Sequence, residues 1–248
     1  TEINNGHEIE YVFSMKSPLE QFEFHDTEYE TILFDIVVRF KIDLIHIHHL
    51  IGHSFDVAAV AKQKNIPLLY TIHDYYSVCP NINLLDCNLK LCLGDSSIEK
   101  CNICLKKSKG LDPGFIKNWR SHFNDIFESC ETIICPSHSV SEILSTYYPS
   151  FGGKMTVIEH GIDEGTADRA GINEGSLETS QNDLFRIAYI GRLGPNKGRD
   201  LFYRLASAKE FKGKVIWSIF GVSDLHSKPG YMLSITSTYL ACITGSMS

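Results

Sequence analysis

The string Ile187-Ala188-Tyr189-Ile190-Gly191-Arg192-Leu193-Gly194-Pro195-Asn196-Lys197-Gly198 places an apolar run, a glycine loop and the start of a helical pattern in succession. A strand that delivers such a loop to a helix start presents unpaired backbone N–H groups and the positive end of the helix dipole, which together favour an anion. Arg192 and Lys197 add two cations at the same end. Arg grips a phosphate with two parallel hydrogen bonds while Lys acts as a mobile point charge, so the pair suits a diphosphate. The plainer reading of the same residues is a strand–helix turn with two solvated basic side chains, because glycine-bearing turns are common in α/β folds.

Outward from that string the alternation of strand and helix recurs. Phe185 to Ile190 reads as a strand, Arg199 to Lys209 as its helix and Val215 to Phe220 as the next strand. Near the amino terminus, Ile9, Tyr11 and Phe13 alternate with polar partners in a strand that follows a turn at Gly6. Tyr29, Ile32, Leu33, Ile36, Val37 and Phe40 recur at three- and four-residue steps, one apolar stripe on a helix ending near Lys41. Asp43 to His49 is a strand and Ser54 to Lys64 a short helix. Pro67 to Ile72 is a strand whose near-continuous apolar character suits a sheet covered on both faces. Asp112-Pro113 reads as an N-cap followed by proline at the first helical position, and Phe115, Ile116, Trp119, Phe123, Ile126 and Phe127 mark the buried face of the helix it opens. Thr132 to Cys135 is a strand, Ser139 and Glu142 have capping-box spacing for another helix, and Met155 to Ile158 is a further strand. The expected class is α/β, a parallel sheet covered by helices.

Two stretches interrupt the pattern. Tyr75 to Gly110 is polar and cysteine-rich without regular periodicity, and Glu164 to Asp183 shifts to Gly, Glu, Ser, Thr and Asn with few large apolar residues. They divide the chain into a first domain over 1–163 with an insert at 75–110, a linker over 164–183, and the incomplete start of a second α/β domain over 184–248. Within that second domain, residues 227–248 are assigned no element of the fold.

The chain has 248 residues, 43% of them hydrophobic and 21% charged, a composition able to bury a core. Its 23 Lys and Arg against 30 Asp and Glu give a net charge of −7, which argues against nucleic-acid binding through overall charge. No apolar run approaches the roughly 20 residues of a membrane-spanning helix, and the first residues lack the order of a secretory signal. A cytoplasmic protein is expected. Thr1 is not a start methionine, so upstream sequence is expected to be missing.

Taken together, the motifs resemble family 4 retaining glycosyltransferases of the GT-B fold. Gly191-Arg192-Leu193 with Lys197-Gly198 resembles the signature opening that family's donor domain. Glu159-His160-Gly161-Ile162-Asp163 resembles the Asn-Gly-Ile-Asp turn closing the first domain, with His160 in place of Asn. Thr71-Ile72-His73-Asp74 is similar to a strand and His-Asp turn facing the interdomain cleft, and Pro136-Ser137-His138-Ser139 to the Pro-Ser-x-Ser turn. The resemblance runs from about Gly6 to Gly221.

It implies a Rossmann-like acceptor domain followed by a Rossmann-like nucleotide-sugar domain across a cleft. Gly191, Arg192, Lys197 and Gly198 would bind the donor diphosphate, stabilising it as it departs without need of a metal. His73 would be the catalytic candidate, hydrogen-bonding an acceptor or donor-sugar hydroxyl, although a structural cap on the strand end is the alternative. His53, Asp74, His160 and Gly161 would lie on the cleft and acceptor side. The implied reaction is hexosyl transfer from a nucleotide-sugar donor to a saccharide or lipid-linked saccharide acceptor with retained configuration, in polysaccharide or glycoconjugate biosynthesis. Peripheral membrane association is compatible with such an acceptor. The family's first glycine-rich loop would precede Gly6 and its donor-site carboxylates would follow Gly221, so this stretch alone is expected to have little or no transferase activity. The alternatives are a non-catalytic zinc-bearing Rossmann-like binding module and another GT-B enzyme such as a sugar-nucleotide epimerase.

Five of the eight cysteines lie between Cys79 and Cys104. The pair Cys101-x2-Cys104 puts two thiolates on one turn, and Cys79 with Cys92 could complete a tetrahedral structural Zn²⁺ site; the family resemblance makes Cys87 the extra residue. Disulfides or uncoordinated thiols are the rival accounts; Cys130, Cys135 and Cys242 read as isolated small residues. His46, His48 and His49 crowd one strand end, but His46 and His48 share a face while His49 points to the other, which makes a joint metal site awkward. No Ser-His-Asp or metalloprotease spacing appears, so nothing points to hydrolysis.

Overall fold

Short runs of β-branched and aromatic residues make the strands of the first sheet, as packing on both faces of a parallel sheet favours. The computed structural model describes residues 2–4, 7–9, 24–92, 97–161, 184–221, 232–236 and 239–243. Its first two strands, β1 (Glu2–Asn4) and β2 (His7–Ile9), form an antiparallel pair of their own. The main sheet then takes β3 (Ile45–Ile47), β4 (Leu68–Thr71), β5 (Thr132–Cys135) and β6 (Met155–Val157) in that order, every pair parallel. Parallel neighbours need crossovers. Here α2 (Val57–Lys64) links β3 to β4, α3 (Ile98–Lys109) and α4 (Phe115–Ser129) lie between β4 and β5, and α5 (His138–Tyr147) links β5 to β6. The α1 helix (Thr27–Arg39) precedes β3, and the Asp26 carboxylate caps it by accepting the N–H groups of Glu28 and Tyr29 at 2.9 and 3.1 Å.

The chain divides into two compact units, Thr1–Gly161 and Ile162–Ser248. In the first, α4 supplies most of the aromatic core: Trp119, Phe123 and Phe127 are fully buried at four-residue steps, against Tyr70 and Tyr76. Lys154 finishes that helix by donating to the carbonyls of Phe127, Glu128 and Cys130 at 3.3, 2.6 and 2.8 Å, the groups a helix end leaves unpaired.

The turn after β4 is gripped from the helices. Trp119 Nε1 donates to the Tyr76 carbonyl at 2.8 Å, the Tyr148 hydroxyl to the Ser77 carbonyl at 2.6 Å, and Arg120 Nε to the Val78 carbonyl at 3.0 Å. Three successive carbonyls of an irregular, buried segment thereby find partners that no neighbouring strand supplies.

In the second unit β7 (Phe185–Ile190) and β8 (Val215–Phe220) pair in parallel, joined through α6 (Arg199–Ala206), over a core of Leu193, Phe202, Val215, Trp217 and Ile219. The sheet continues antiparallel from β8 to β9 (Met232–Thr236) and on to β10 (Tyr239–Ile243), strands that fall in the stretch to which the sequence assigns no place.

Several expectations change. The insert is not without periodicity: α3 spans twelve residues of it, capped by the Ser97 hydroxyl on the Lys100 N–H and closed by Gly110 in the left-handed region. Asp112 and Pro113 do not open α4, whose N-cap is Gly114; the Asp112 carboxylate instead pairs with Lys106 at 2.9 Å. The cap of α5 is Ser137 rather than Ser139. Of the strand expected over 6–13 only His7–Ile9 is described, and the linker over 164–183 lies outside the described residues. Among the described residues no helix is long and apolar enough to cross a membrane.

Trp119→Phe should cost about 1–3 kcal/mol, because it leaves the buried Tyr76 carbonyl without its donor while keeping an aromatic ring in the core. Urea unfolding of the variant beside the parent measures it.

Candidate functional site

The carboxyl ends of parallel strands are where α/β sheets place ligands, and here the ends of β3 and β4 carry a ladder of side-chain pairs. His46 Nε2 meets Thr71 Oγ1 at 2.8 Å, His48 Nδ1 meets His73 Nε2 at 2.9 Å, and His49 Nε2 donates to Asp74 Oδ2 at 3.1 Å. The same 25-residue offset recurs in all three, as two parallel strands in fixed register require. Asp74 spends its other oxygen on the Tyr76 N–H at 2.8 Å, tying the histidine ladder to the gripped turn. Beyond β6, the His160 ring lies parallel to that of His73, centroids 6.5 Å apart.

His73, Asp74 and His160 are therefore brought together. His53 bonds to the Tyr29 hydroxyl at 2.6 Å, on the α1 side of the same strand ends. Gly161 is the exposed last residue of the first unit. Burial, with the neighbouring His48, His160 and His49, holds the His73 imidazolium pKa below the usual histidine value against the opposing pull of Asp74. Burial, with His48 and His73, does the same to His46. That shift favours the neutral form of both rings, in which an imidazole can donate one hydrogen bond and accept another.

At the end of β7 the glycine loop takes a more closed form than an open anion cradle. Pro195–Lys197 make a 3₁₀ turn, in which the N–H groups of Lys197 and Arg199 donate to the Gly194 carbonyl and that of Gly198 to the Pro195 carbonyl. Those donors are spent within the loop, so the side chains of Arg192 and Lys197, both exposed, supply the charge that would meet an anion. Sequence reasoning misses Tyr189: its hydroxyl lies 3.0 Å from the Arg192 carbonyl and 3.1 Å from the Lys197 carbonyl, so one oxygen holds the two cation-bearing residues together. A tyrosine alternating with smaller residues on β7 reads only as a packing residue. Gly221, at the end of β8, is required by contact: a Cβ on it (φ +147°) would stand 2.0 Å from the carbonyl oxygen of Gly191 at the end of β7, while Gly191 itself has room for a Cβ but sits at φ +133°.

The cysteines of the insert share one cavity of about 390 Å³, lined by Cys79, Cys87, Cys92, Cys101 and Cys104. Cys104 Sγ accepts the Cys87 N–H at 3.1 Å, Cys79 Sγ the Asn81 N–H at 3.5 Å, and Arg120 Nη2 lies 3.8 Å from Cys101 Sγ. Burial, with Cys101 and Cys104 nearby, pushes the Cys79 thiol up to about 11. Among the described residues no three His, Cys, Asp or Glu side chains are placed to hold a metal ion. Cys79, Cys92, Cys101 and Cys104 thus share a cavity but, among the described residues, are not set out as a metal cage, and no disulfide joins them.

The sequence model of Glycosyltransferase Family 4 matches residues 4–165. No curated protein matches the chain. Among solved structures, a glycosyltransferase from Rickettsia africae ESF-5 is similar at 15% identity and a TM-score of 0.39, the match covering 87% of this chain and 55% of that one. The chain thus spans little more than half the length of that structure's chain.

Tyr189→Phe should loosen the loop, and limited trypsin digestion should then cut after Arg192 and Lys197 faster than in the parent. Gly221→Ala should lower the unfolding temperature of the second unit, since the new methyl forces two strand ends apart; an unchanged transition would show that the close approach is not needed.

Proposed function

Because this chain belongs to Glycosyltransferase Family 4, we propose that it acts in the transfer of a hexose from a nucleotide-sugar donor to the hydroxyl of a saccharide or lipid-linked saccharide acceptor, with retention of configuration. The first unit serves the acceptor and the loop after β7 serves the donor diphosphate. The observation that carries this reading is the Tyr189 hydroxyl within hydrogen-bond reach of the carbonyls of both Arg192 and Lys197. It favours a loop that ties the two cation-bearing residues together over a turn with two unrelated solvated charges.

As the glycosidic bond breaks, negative charge builds on the leaving diphosphate. Cations already fixed beside it bind the transition state more strongly than the ground state. Arg192 offers the planar fork that matches two phosphate oxygens, and Lys197 offers a point charge that follows the shifting negative centre. His73, neutral and held by its neighbours, offers a hydrogen bond to a reacting or adjacent hydroxyl, while Asp74, committed to His49 and to the Tyr76 N–H, keeps the turn in place. The coupling of His73 to a ladder of polar partners favours this role over a bare strand cap.

In the intact protein, Arg192→Ala should lower kcat by about 10²–10³-fold, the usual cost of one lost oxyanion donor, with the acceptor KM little changed. Lys197→Ala should act in the same sense. Steady-state kinetics with varied acceptor reads both, and wild-type turnover in either variant would contradict the assignment.

A further inference from the structure

His48 stands outside the residues that the family resemblance singles out, yet it makes the contact that fixes His73. We propose that His48 is a positioning residue: through Nδ1, 2.9 Å from Nε2 of His73, it sets the ring orientation and tautomer of the histidine that meets the reacting hydroxyl. This rests on the role given to His73 above.

The geometry is supported from behind. His48 follows the buried Ile47, whose register against Tyr70 is fixed by the parallel ladder of β3 and β4. The His46 ring packs on His48 with centroids 4.2 Å apart, and His46 is itself held by Thr71. A chain of side chains from two adjacent strands therefore ends on Nε2 of His73. Asp74, the acidic neighbour that would be the obvious orienting group, is turned to His49 and the Tyr76 N–H instead. With Nε2 engaged, Nδ1 is the nitrogen that His73 has left for a substrate hydroxyl.

Two imidazole nitrogens at hydrogen-bond distance share one proton between them. A second proton would set N–H against N–H and break the pair. The titratable groups around it are His46 and His49 on the β3 end, Asp74 on the β4 end and His160 beyond β6. Burial and the histidines lower the affinity of His73 for that second proton, while Asp74 raises it. Because the net shift is downward, the folded state holds fewer protons here than the unfolded chain. The pair's contribution is full above the unfolded pKa of about 6.5 and is lost as pH falls through the lower folded value.

The test uses intact protein labelled with ¹⁵N-histidine, in which long-range ¹H–¹⁵N correlations read tautomer and pKa, and His73→Gln assigns the His73 signals. The parent should show one His73 tautomer and a pKa below about 6.5. His48→Ala should give the mixed tautomers of a free imidazole and an upward pKa shift. His48→Asn, whose amide stands where Nδ1 stood, should restore the single tautomer, and it decides the matter if His48→Ala fails to fold. Turnover should fall about tenfold to a hundredfold in His48→Ala, the size usual when a partner orienting a functional histidine is removed, and largely recover in His48→Asn. An unchanged His73 tautomer and pKa in His48→Ala would overturn the proposal. If they change as expected while His73→Ala keeps full turnover, the positioning stands and the role given to His73 falls.

Discussion

The turn after β4 has no strand beside it to satisfy its backbone, so it depends on Trp119, Tyr148 and Arg120 donating to the carbonyls of Tyr76, Ser77 and Val78. A buried carbonyl without a partner costs about as much as a lost hydrogen bond, and an amide segment carrying three such groups would not stay packed. The candidate residues His73 and Asp74 lead directly into this grip. Upstream of it, Asp74 accepts the Tyr76 N–H and passes the fixed position on to His49, and His73 is held one residue earlier. Downstream, Arg120 also reaches toward Cys101 and lies over the Tyr147 ring, so the same helix anchors the cysteine-bearing insert.

The second unit solves a comparable problem with less material. Its loop satisfies much of its backbone internally through the 3₁₀ turn and the two carbonyls that meet the Tyr189 hydroxyl. The cost is that fewer backbone N–H groups face outward, so an anion would meet the charged side chains instead. Such a loop is pre-set, so little ordering would be needed were charge to develop on a leaving group beside it.

How much of this was legible in the sequence follows from which interactions are local. β5, β7 and β8 coincide with the expected strands, because runs such as Thr132-Ile133-Ile134-Cys135 carry their own propensity. The α3 helix was not legible, since only Cys101 and Leu105 are buried among its lysines and the stripe is too thin to register as a period. Asp112 has the chemistry of a cap, but Lys106 claims its carboxylate from an adjacent helix, a tertiary choice that local pattern cannot reveal. The candidate site divides the same way. Arg192, Lys197 and His73 stand out as residue types in a motif. Tyr189 and His48 do not, because their importance lies in which atom of a neighbouring segment they touch.

The claim most open to direct trial is that Arg192 and Lys197 were placed together for a pyrophosphate. Calorimetric titration of uridine, guanosine and adenosine diphosphates into the intact protein, with the corresponding monophosphates as controls, reads it without knowledge of the acceptor. The account predicts that at least one diphosphate binds, more tightly than its monophosphate, and that the preference disappears when both cations are replaced by alanine. Equal binding of mono- and diphosphate, or binding untouched by the double replacement, would contradict it.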